Sequence, residues 1–171
     1  MKAKVREVIQ QLDASIPAAW KATAILQGYG LWKIPLLFSV RPKVREINEQ
    51  KIVVEIPLTR WTRNHLGSMY FGALAIGADC SVGLLALHLA KIKGGQVHLS
   101  FKDFQVNFLK RAEGNVHFVC DEGAALGKFV NEVIKSGERK NLTVNGYAHV
   151  VGSPGEPVAR YSLTLSLKRK E

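Results

Sequence analysis

The chain has 171 residues, 47% of them hydrophobic and 22% charged, which suits one folded domain and excludes a largely disordered protein. Its 24 lysines and arginines exceed its 14 aspartates and glutamates, and the net charge of +10 favours an anionic partner or a solvated basic surface. Because the basic residues are spread out without zinc-finger or RNA-recognition spacing, we expect no nucleic-acid partner. Two cysteines, Cys80 and Cys120, exclude a disulfide framework, and with no signal peptide visible we expect a cytoplasmic protein.

Two helices are predicted before the first strand. The apolar positions of the first keep helical spacing at Val5, Val8, Ile9 and Leu12. In the second, Ser15 is the expected cap, Pro17 lies in the first turn and Gly28 falls just past the end. Its buried face is expected from Trp20, Ile25 and Leu26. We therefore expect residues 1–35 to form a helical extension on a main domain of residues 36–171.

A strand pair and one long helix come next. Strands are predicted over 39–47 and 51–58, joined at Asn48 and Glu49, with Pro57 near the end of the second. A loop over 59–68 leads to an almost wholly apolar helix over about 70–90, long enough to span a membrane. Asp79 at its centre would be costly in lipid, and charged strands follow directly, so we predict a helix buried in protein and no membrane span.

Four strands are predicted after this helix. They cover about 97–108, 116–120, 142–151 and 158–167, and the last two form a hairpin around 152–155. The alternation of apolar residues changes parity at Lys102 and Asp103, which predicts a β-bulge. Because a helix that is apolar on nearly every side must be enclosed, the strands are expected to curl around it. The predicted fold is α+β: an antiparallel sheet wrapped around one long central helix, the hotdog arrangement.

Asp79 is the first candidate for chemistry. Carboxylates are seldom buried without a partner, and one that lines a cleft suits a general base or a nucleophile. The alternative is a structural aspartate that bonds a neighbour such as Ser81. Near Phe71 and Gly72 the first N–H groups of the helix lack helical partners and could hold a developing oxyanion. The alternative there is an ordinary helix start capped by Ser68.

The loop before the helix holds the remaining polar candidates. Asn64 and His65 could hydrogen-bond a substrate carbonyl or a water, or they could simply form a turn. The other histidines show no metal-ligand spacing, so no metal site and no cofactor are predicted.

The run 64–79 resembles the hotdog thioesterases, in particular the branch of phenylacetyl-CoA thioesterase and the thioesterase-like DUF4442 proteins. In that family a loop Asn precedes a His-Gly-Gly turn at the helix start, and an acidic residue follows nine positions after the His. Here Tyr70, Phe71 and Gly72 occupy the turn, and Asp79 lies nine positions beyond Tyr70. The resemblance implies catalytic roles for Asp79 and Asn64 and oxyanion-binding N–H groups at Phe71 and Gly72.

The resemblance also implies a substrate and an assembly. It implies hydrolysis of acyl-CoA or a similar thioester by a homodimer or a dimer of dimers whose sites form between protomers. The implied substrate-binding residues, of which the last two could meet CoA phosphates, are His65, Gly67, Tyr70, Lys110 and Arg111. Apolar residues expected to line the acyl pocket are Leu74, Phe104 and Val106.

Three rival functions remain open at this point. Tyr70 and Phe71 stand where the family often has His and Gly, which favours a non-catalytic protein that binds acyl-CoA or lipid. A hotdog hydratase or dehydratase would need a cleft histidine, and His65 is poorly spaced from Asp79 for that role. A basic interaction module with no small ligand is the third alternative.

Overall fold

The computed structural model describes residues 17–170, which hold four helices and six strands. The helices are α1 (Ala18–Lys33), α2 (Pro35–Ser39), α3 (Phe71–Ile92) and α4 (Gly123–Ser136). The strands are β1 (Lys43–Ile47), β2 (Ile52–Ile56), β3 (Val97–Phe108), β4 (Val116–Cys120), β5 (Lys140–Val150) and β6 (Pro157–Arg169). The helix predicted over 5–12 and the cap at Ser15 lie outside the described residues.

All six strands form one antiparallel sheet in the order β1-β2-β4-β5-β6-β3, which leaves β1 and β3 at its edges. The β1–β2 turn is where the sequence predicts it: the side-chain Oδ1 of Asn48 accepts hydrogen bonds from the N–H groups of Gln50 and Lys51. The predicted bulge in β3 is also confirmed, because its register against β6 shifts between Phe101 and Asp103. A bulge bends its strand, and this bend helps the sheet to curve.

Helix α3 runs for 22 residues, about 33 Å, and the sheet wraps around it. By length and composition it could cross a membrane. However, 67% of its most apolar 18-residue stretch is buried inside the protein, which identifies it as the core helix. Gly77 allows the closest approach to the sheet, since a Cβ there would overlap the ring of Phe118. A curved antiparallel sheet around one buried helix is the hotdog fold, as predicted.

The strand predicted over 39–47 begins only at Lys43, and Pro35–Ser39 form the unpredicted helix α2. Helix α4 was not predicted from the sequence either. It packs against α3, and the αL residue Gly137 ends it at a φ of 72°. Its buried side chains keep the spacing of an amphipathic helix at Leu126, Phe129, Val130 and Val133. That spacing was the available signal.

The predicted end of α1 is wrong. The helix continues through Gly28 to Lys33, and it stops because Ile34 precedes Pro35 and adopts an extended backbone with φ −138° and ψ 78°. Glycine costs a helix about 1 kcal/mol, which packing can offset, whereas the residue before proline is pushed out of the helical region by steric contact.

The predicted buried face of α1 is wrong for two of its three residues. Leu26 is 4% exposed, but Trp20 is 73% and Ile25 is 65% exposed. The helix is apolar on almost every side, so periodicity could not choose the inward face. The inward face is instead fixed by a hydrogen bond. The N–H of Val44 donates to Thr23 Oγ1 at 2.8 Å, so the Thr23 side of α1 faces β1.

Candidate functional site

Asp79 lies near the middle of α3 and faces a cavity of about 570 Å³, here called the Asp79 cavity. A Cβ added at Gly83, one helical turn further on, would lie 3.8 Å from Asp79 Oδ1 and 3.5 Å from Phe101 Cζ. The carboxylate therefore sits in a gap between α3 and the edge strand β3. The residues lining the cavity are Leu26, Tyr29, Ile34, Leu37, Asp79, Cys80, Gly83, Leu84, Leu87, Val97, His98, Leu99, Ser100, Phe101 and Lys170.

Asp79 has no polar partner among residues 17–170. It makes no hydrogen bond or ion pair there, and burial alone raises the pKa of its carboxyl to about 6. The alternative of a structural bond to Ser81 does not hold, because the Ser81 hydroxyl donates to the carbonyl of Ala78 and pairs with the Tyr161 hydroxyl, each at 2.8 Å. An unpartnered, partly buried carboxylate beside an open cavity has the environment of a catalytic base or nucleophile.

The first turn of α3 leaves two backbone donors unused. Its N-cap, Tyr70, makes no side-chain capping bond, and its carbonyl accepts the N–H groups of Ala73 at 2.9 Å and Leu74 at 3.2 Å. The N–H groups of Phe71 and Gly72 donate to no acceptor within residues 17–170. These are the two donors that the sequence assigns to an oxyanion, and the positive end of the helix dipole adds to their attraction for negative charge.

Ser68 is not the cap of α3, and its partner Asn64 closes the preceding loop. Asn64 Oδ1 accepts the N–H groups of Leu66 at 2.9 Å and Ser68 at 3.2 Å, and Asn64 Nδ2 donates to Ser68 Oγ at 3.1 Å. Gly67 completes the turn with a φ of +82°, in the left-handed region that glycine adopts without strain. The bonded side chain of Asn64 thus fixes the loop that carries His65.

A second cavity, of about 370 Å³ and here called the loop cleft, opens at the start of α3. It brings together most of the predicted site residues: Asn64, His65, Tyr70, Phe71, Lys110 and Arg111. The ring centroids of Tyr70 and Phe71, which both line it, lie 4.6 Å apart, and both side chains are exposed. The predicted acyl-pocket residue Leu74 lines the loop cleft and does not line the Asp79 cavity.

The basic residues of the loop cleft already have partners. Lys110 Nζ lies 2.8 Å from Glu156 Oε2, and Arg111 Nη2 donates to the carbonyl of Leu66 at 2.6 Å and lies 3.2 Å from Glu113. Both acidic side chains are exposed, and exposed ion pairs contribute about 0–1 kcal/mol, so a phosphate could displace them.

The two cavities are separate within one chain. Asp79 follows Phe71 by eight residues of continuous helix, which places their backbones about 12 Å apart along the helix axis. One chain therefore does not bring its Asp79 carboxylate to the acyl carbon of a thioester held by its own Phe71 and Gly72 N–H groups.

The sequence did not predict that residues of α1 and α2 line one side of the Asp79 cavity. The residues involved are Leu26, Tyr29, Ile34 and Leu37. The predicted residues Phe104 and Val106 do not line this cavity; Phe104 is exposed on β3. Periodicity indicates that a position is apolar, but it does not indicate which distant helix covers it.

The cysteines do not compete with Asp79 for a catalytic role. Cys80 and Cys120 are both buried and free. Burial raises the pKa of the Cys80 thiol far above its ordinary value, and the neighbouring Asp79 charge adds to this, so the thiolate that attack requires is disfavoured. Among residues 17–170, no three His, Cys, Asp or Glu side chains are grouped so as to hold a metal ion.

Residues 23–167 match the family described as a domain of unknown function, DUF4442. No curated protein matches the sequence. A protein of unknown function from Chlorobaculum tepidum has a similar structure, with a TM-score of 0.74 at 9% identity over 90% of this chain and 100% of its own. A thioesterase family protein from Silicibacter pomeroyi has a TM-score of 0.62 at 18% identity over 86% of this chain and 99% of its own. Thioesterase superfamily member 2 of zebrafish has a TM-score of 0.58 at 13% identity over 90% of this chain and 99% of its own. At these identities the likeness establishes the fold alone.

Proposed function

The chain belongs to the DUF4442 family, and from this membership and the geometry of the site we propose that it hydrolyses acyl-CoA or a similar acyl thioester. The observation that carries the proposal is the Asp79 carboxylate, which has no polar partner within residues 17–170 and faces an open, largely apolar cavity. Structures of similar fold that are named thioesterases support the same reaction class.

In the proposed reaction the carbonyl oxygen of the thioester lies against the free N–H groups of Phe71 and Gly72. These donors stabilise the negative charge that develops on that oxygen, an effect worth about 2.7–4 kcal/mol per donor in other enzymes. Water adds to the carbonyl carbon as Asp79 takes its proton, the C–S bond breaks, and the proton passes to the departing sulfur. Direct attack by the Asp79 carboxylate, followed by hydrolysis of the anhydride, gives the same products.

Two chains are needed to complete this site. Because about 12 Å of helix separates Asp79 from Phe71, the acid of one protomer acts on a thioester held at the start of α3 in the other. The long edge strand β3 offers a pairing surface for such a homodimer, since it has no neighbour on its outer side within residues 17–170 and exposes Phe104 and Phe108. A dimer of dimers would keep the same paired sites.

In this proposal the loop cleft binds the CoA part of the substrate. His65 and Tyr70 line it, and Lys110 and Arg111 supply positive charge for CoA phosphates once their exposed ion pairs exchange. The bonds that Asn64 makes within the loop give it a positioning role: it holds the segment that leads into the free N–H groups of α3. Two buried, free cysteines suit a reducing compartment, in keeping with a cytoplasmic location.

Release of free thiol from acetyl-, phenylacetyl-, octanoyl- and palmitoyl-CoA tests the proposal. We expect turnover with at least one of them, and no turnover with any would contradict a thioesterase. The exposed aromatic pair Tyr70 and Phe71 favours a second candidate, a protein that binds acyl-CoA without cleaving it. Tight binding of acyl-CoA in a calorimeter without thiol release would support that second function.

A further inference from the structure

The Asp79 cavity is closed on one side by residues outside the sheet-and-helix core. Leu26 and Tyr29 come from α1, Leu37 comes from α2, and Ile34 lies between the two helices. Opposite them lie α3, which carries Asp79, and the start of β3. Without α1 and α2 the cavity would lose this apolar side and Asp79 would face solvent more openly.

Helix α1 is held firmly enough to act as a wall. The N–H of Val44 donates to Thr23 Oγ1 at 2.8 Å, and Gln27 Nε2 donates to the carbonyl of Pro42 at 2.7 Å, so two side chains of α1 are bonded to the start of β1. The α1–α2 corner is tight as well, because a Cβ at Gly30 would lie 3.0 Å from the backbone nitrogen of Phe38. The distance from α1 to Asp79 is therefore set by the fold.

The lining of the cavity selects an apolar ligand. Asp79 is its one carboxylate, and most of the other lining residues are aliphatic or aromatic. Its volume of about 570 Å³ falls within the range of pockets that enclose small organic ligands. Polar groups line the cavity only at Tyr29, Asp79, His98, Ser100 and Lys170, so an alkyl chain against the remaining, mostly apolar lining would gain from burial.

Space for such a chain exists directly beside the carboxylate. Gly83 has no side chain, and a Cβ at this position would project between Asp79 Oδ1, at 3.8 Å, and the Phe101 ring, at 3.5 Å. A chain whose first carbon lies at Asp79 can therefore pass Gly83 within the cavity that Ile34 and Leu37 also line.

We propose that α1 and α2 are the specificity-determining wall of the site and that the substrate carries a long alkyl chain bound along them. This rests on the proposed function, since it places the reacting end of the chain at Asp79. The length of chain accepted is then set by Ile34, Leu37 and Tyr29, which line the cavity, and not by the loop cleft.

The test measures binding apart from turnover. Thioether analogues of acyl-CoA with 2, 4, 8, 12 and 16 carbons, which cannot be hydrolysed, are titrated into the whole protein by calorimetry. Each fully buried methylene should tighten Kd by about fourfold until the chain outgrows the cavity. Ile34→Trp should move that limit to a shorter chain and weaken binding of the longest analogues at least tenfold. Ile25→Trp is the matched control, because Ile25 is exposed on α1 and does not line the cavity.

A second variant guards against misfolding of the first. Gly83→Ala places a methyl group at ordinary contact distance in a helix, so it should fold, and it should also weaken the long analogues more than the two-carbon one. The inference is overturned if Kd does not depend on chain length, or if Ile34→Trp and Ile25→Trp behave alike while Gly83→Ala matches the parent. Chain-length-dependent binding without thiol release from any acyl-CoA would support the wall and overturn the proposed hydrolysis.

Discussion

At the scale of single residues, Asp79 is unusual because burial disfavours the ionised form of its carboxyl and no partner compensates. It has no cation or hydrogen-bond donor within residues 17–170, and its pKa is raised to about 6 by burial. By contrast, Glu55 is more buried but receives Arg45 in two hydrogen bonds of 2.8 and 2.9 Å, which hold its pKa below the ordinary value. The sequence could identify Asp79 as unusual because it interrupts an apolar helix. It could not show that the partner was missing.

Replacing Asp79 should make the fold more stable at neutral pH. The folded pKa of about 6 exceeds the ordinary value of 3.8, so the protonated carboxyl contributes stability below pH 4 that is lost as pH rises through about 6. This pKa difference corresponds to about 3 kcal/mol of folding free energy, and partial solvent access to the carboxylate reduces the effect. We expect Asp79→Asn to raise the free energy of unfolding by about 1–2 kcal/mol at pH 7.5 in urea titrations, with little gain at pH 4.

An exposed carboxylate provides the control for this stability measurement. Asp121→Asn should leave the free energy of unfolding within about 0.5 kcal/mol of the parent at both pH values. If Asp79→Asn were less stable than the parent at pH 7.5, the carboxylate would have a structural role that the described contacts do not contain.

At the scale of helices and strands, the six strands and α3 were predicted, whereas α4 was missed although its apolar residues keep helical spacing. The presence of six strands along the chain, the bulge in β3 and the buried α3 follow from alternation and from an apolar run with no polar face. The N-terminal helix α1 has no such contrast between its faces, so its inward side depends on hydrogen bonds to the β1 segment. Tertiary contacts that bring α1 over Asp79 leave no trace in a single sequence.

The packing of α3 against the sheet depends on Gly77. A Cβ there would overlap the Phe118 ring, which lies in the core and is 1% exposed. Overpacking of a core costs about 1–3 kcal/mol, more than alanine gains over glycine in a helix. We expect Gly77→Ala to lower the free energy of unfolding by about 1–2 kcal/mol in urea titrations.

Gly83→Ala is the matched control on the same helix. A Cβ at Gly83 meets only ordinary contacts, so this variant should unfold at the same urea concentration as the parent or a higher one. Equal stability of the two alanine variants would show that a Cβ at position 77 does not overlap the Phe118 ring.

At the scale of the whole molecule, most of the predicted site residues divide between two cavities, and Gly67 and Gly72 line neither. The loop cleft gathers Asn64, His65, Phe71 and the basic pair Lys110 and Arg111, whereas Asp79 faces the other cavity. The sequence could place these residues on one helix and its preceding loop, but helix length then separates them by about 12 Å. The proposed site therefore requires a second chain.

Phe104→Asp tests that requirement. Phe104 is exposed on the edge strand β3, where a charge should oppose pairing with a second copy. We expect the parent to sediment with two or four times the mass of one chain, and Phe104→Asp to sediment with a smaller mass and thiol release lowered at least tenfold. Val151→Asp, which adds the same charge at an exposed apolar position in the turn after β5, should keep the parent's mass and rate. A parent that is monomeric and still active would exclude a site shared between chains.

The pH dependence of kcat/KM for thiol release, measured from pH 5 to 8 on the parent and Asp79→Asn with the best acyl-CoA, tests the catalytic role of Asp79 most directly. The ionised carboxylate is the reactive form, so the parent's kcat/KM should rise with pH around a midpoint near 6 and level off by pH 7.5. Asp79→Asn should be 10²–10⁴-fold slower at pH 7.5 and should lack this midpoint. An Asp79→Asn variant within about threefold of the parent, with the same midpoint, would contradict the assignment of Asp79 as the catalytic group.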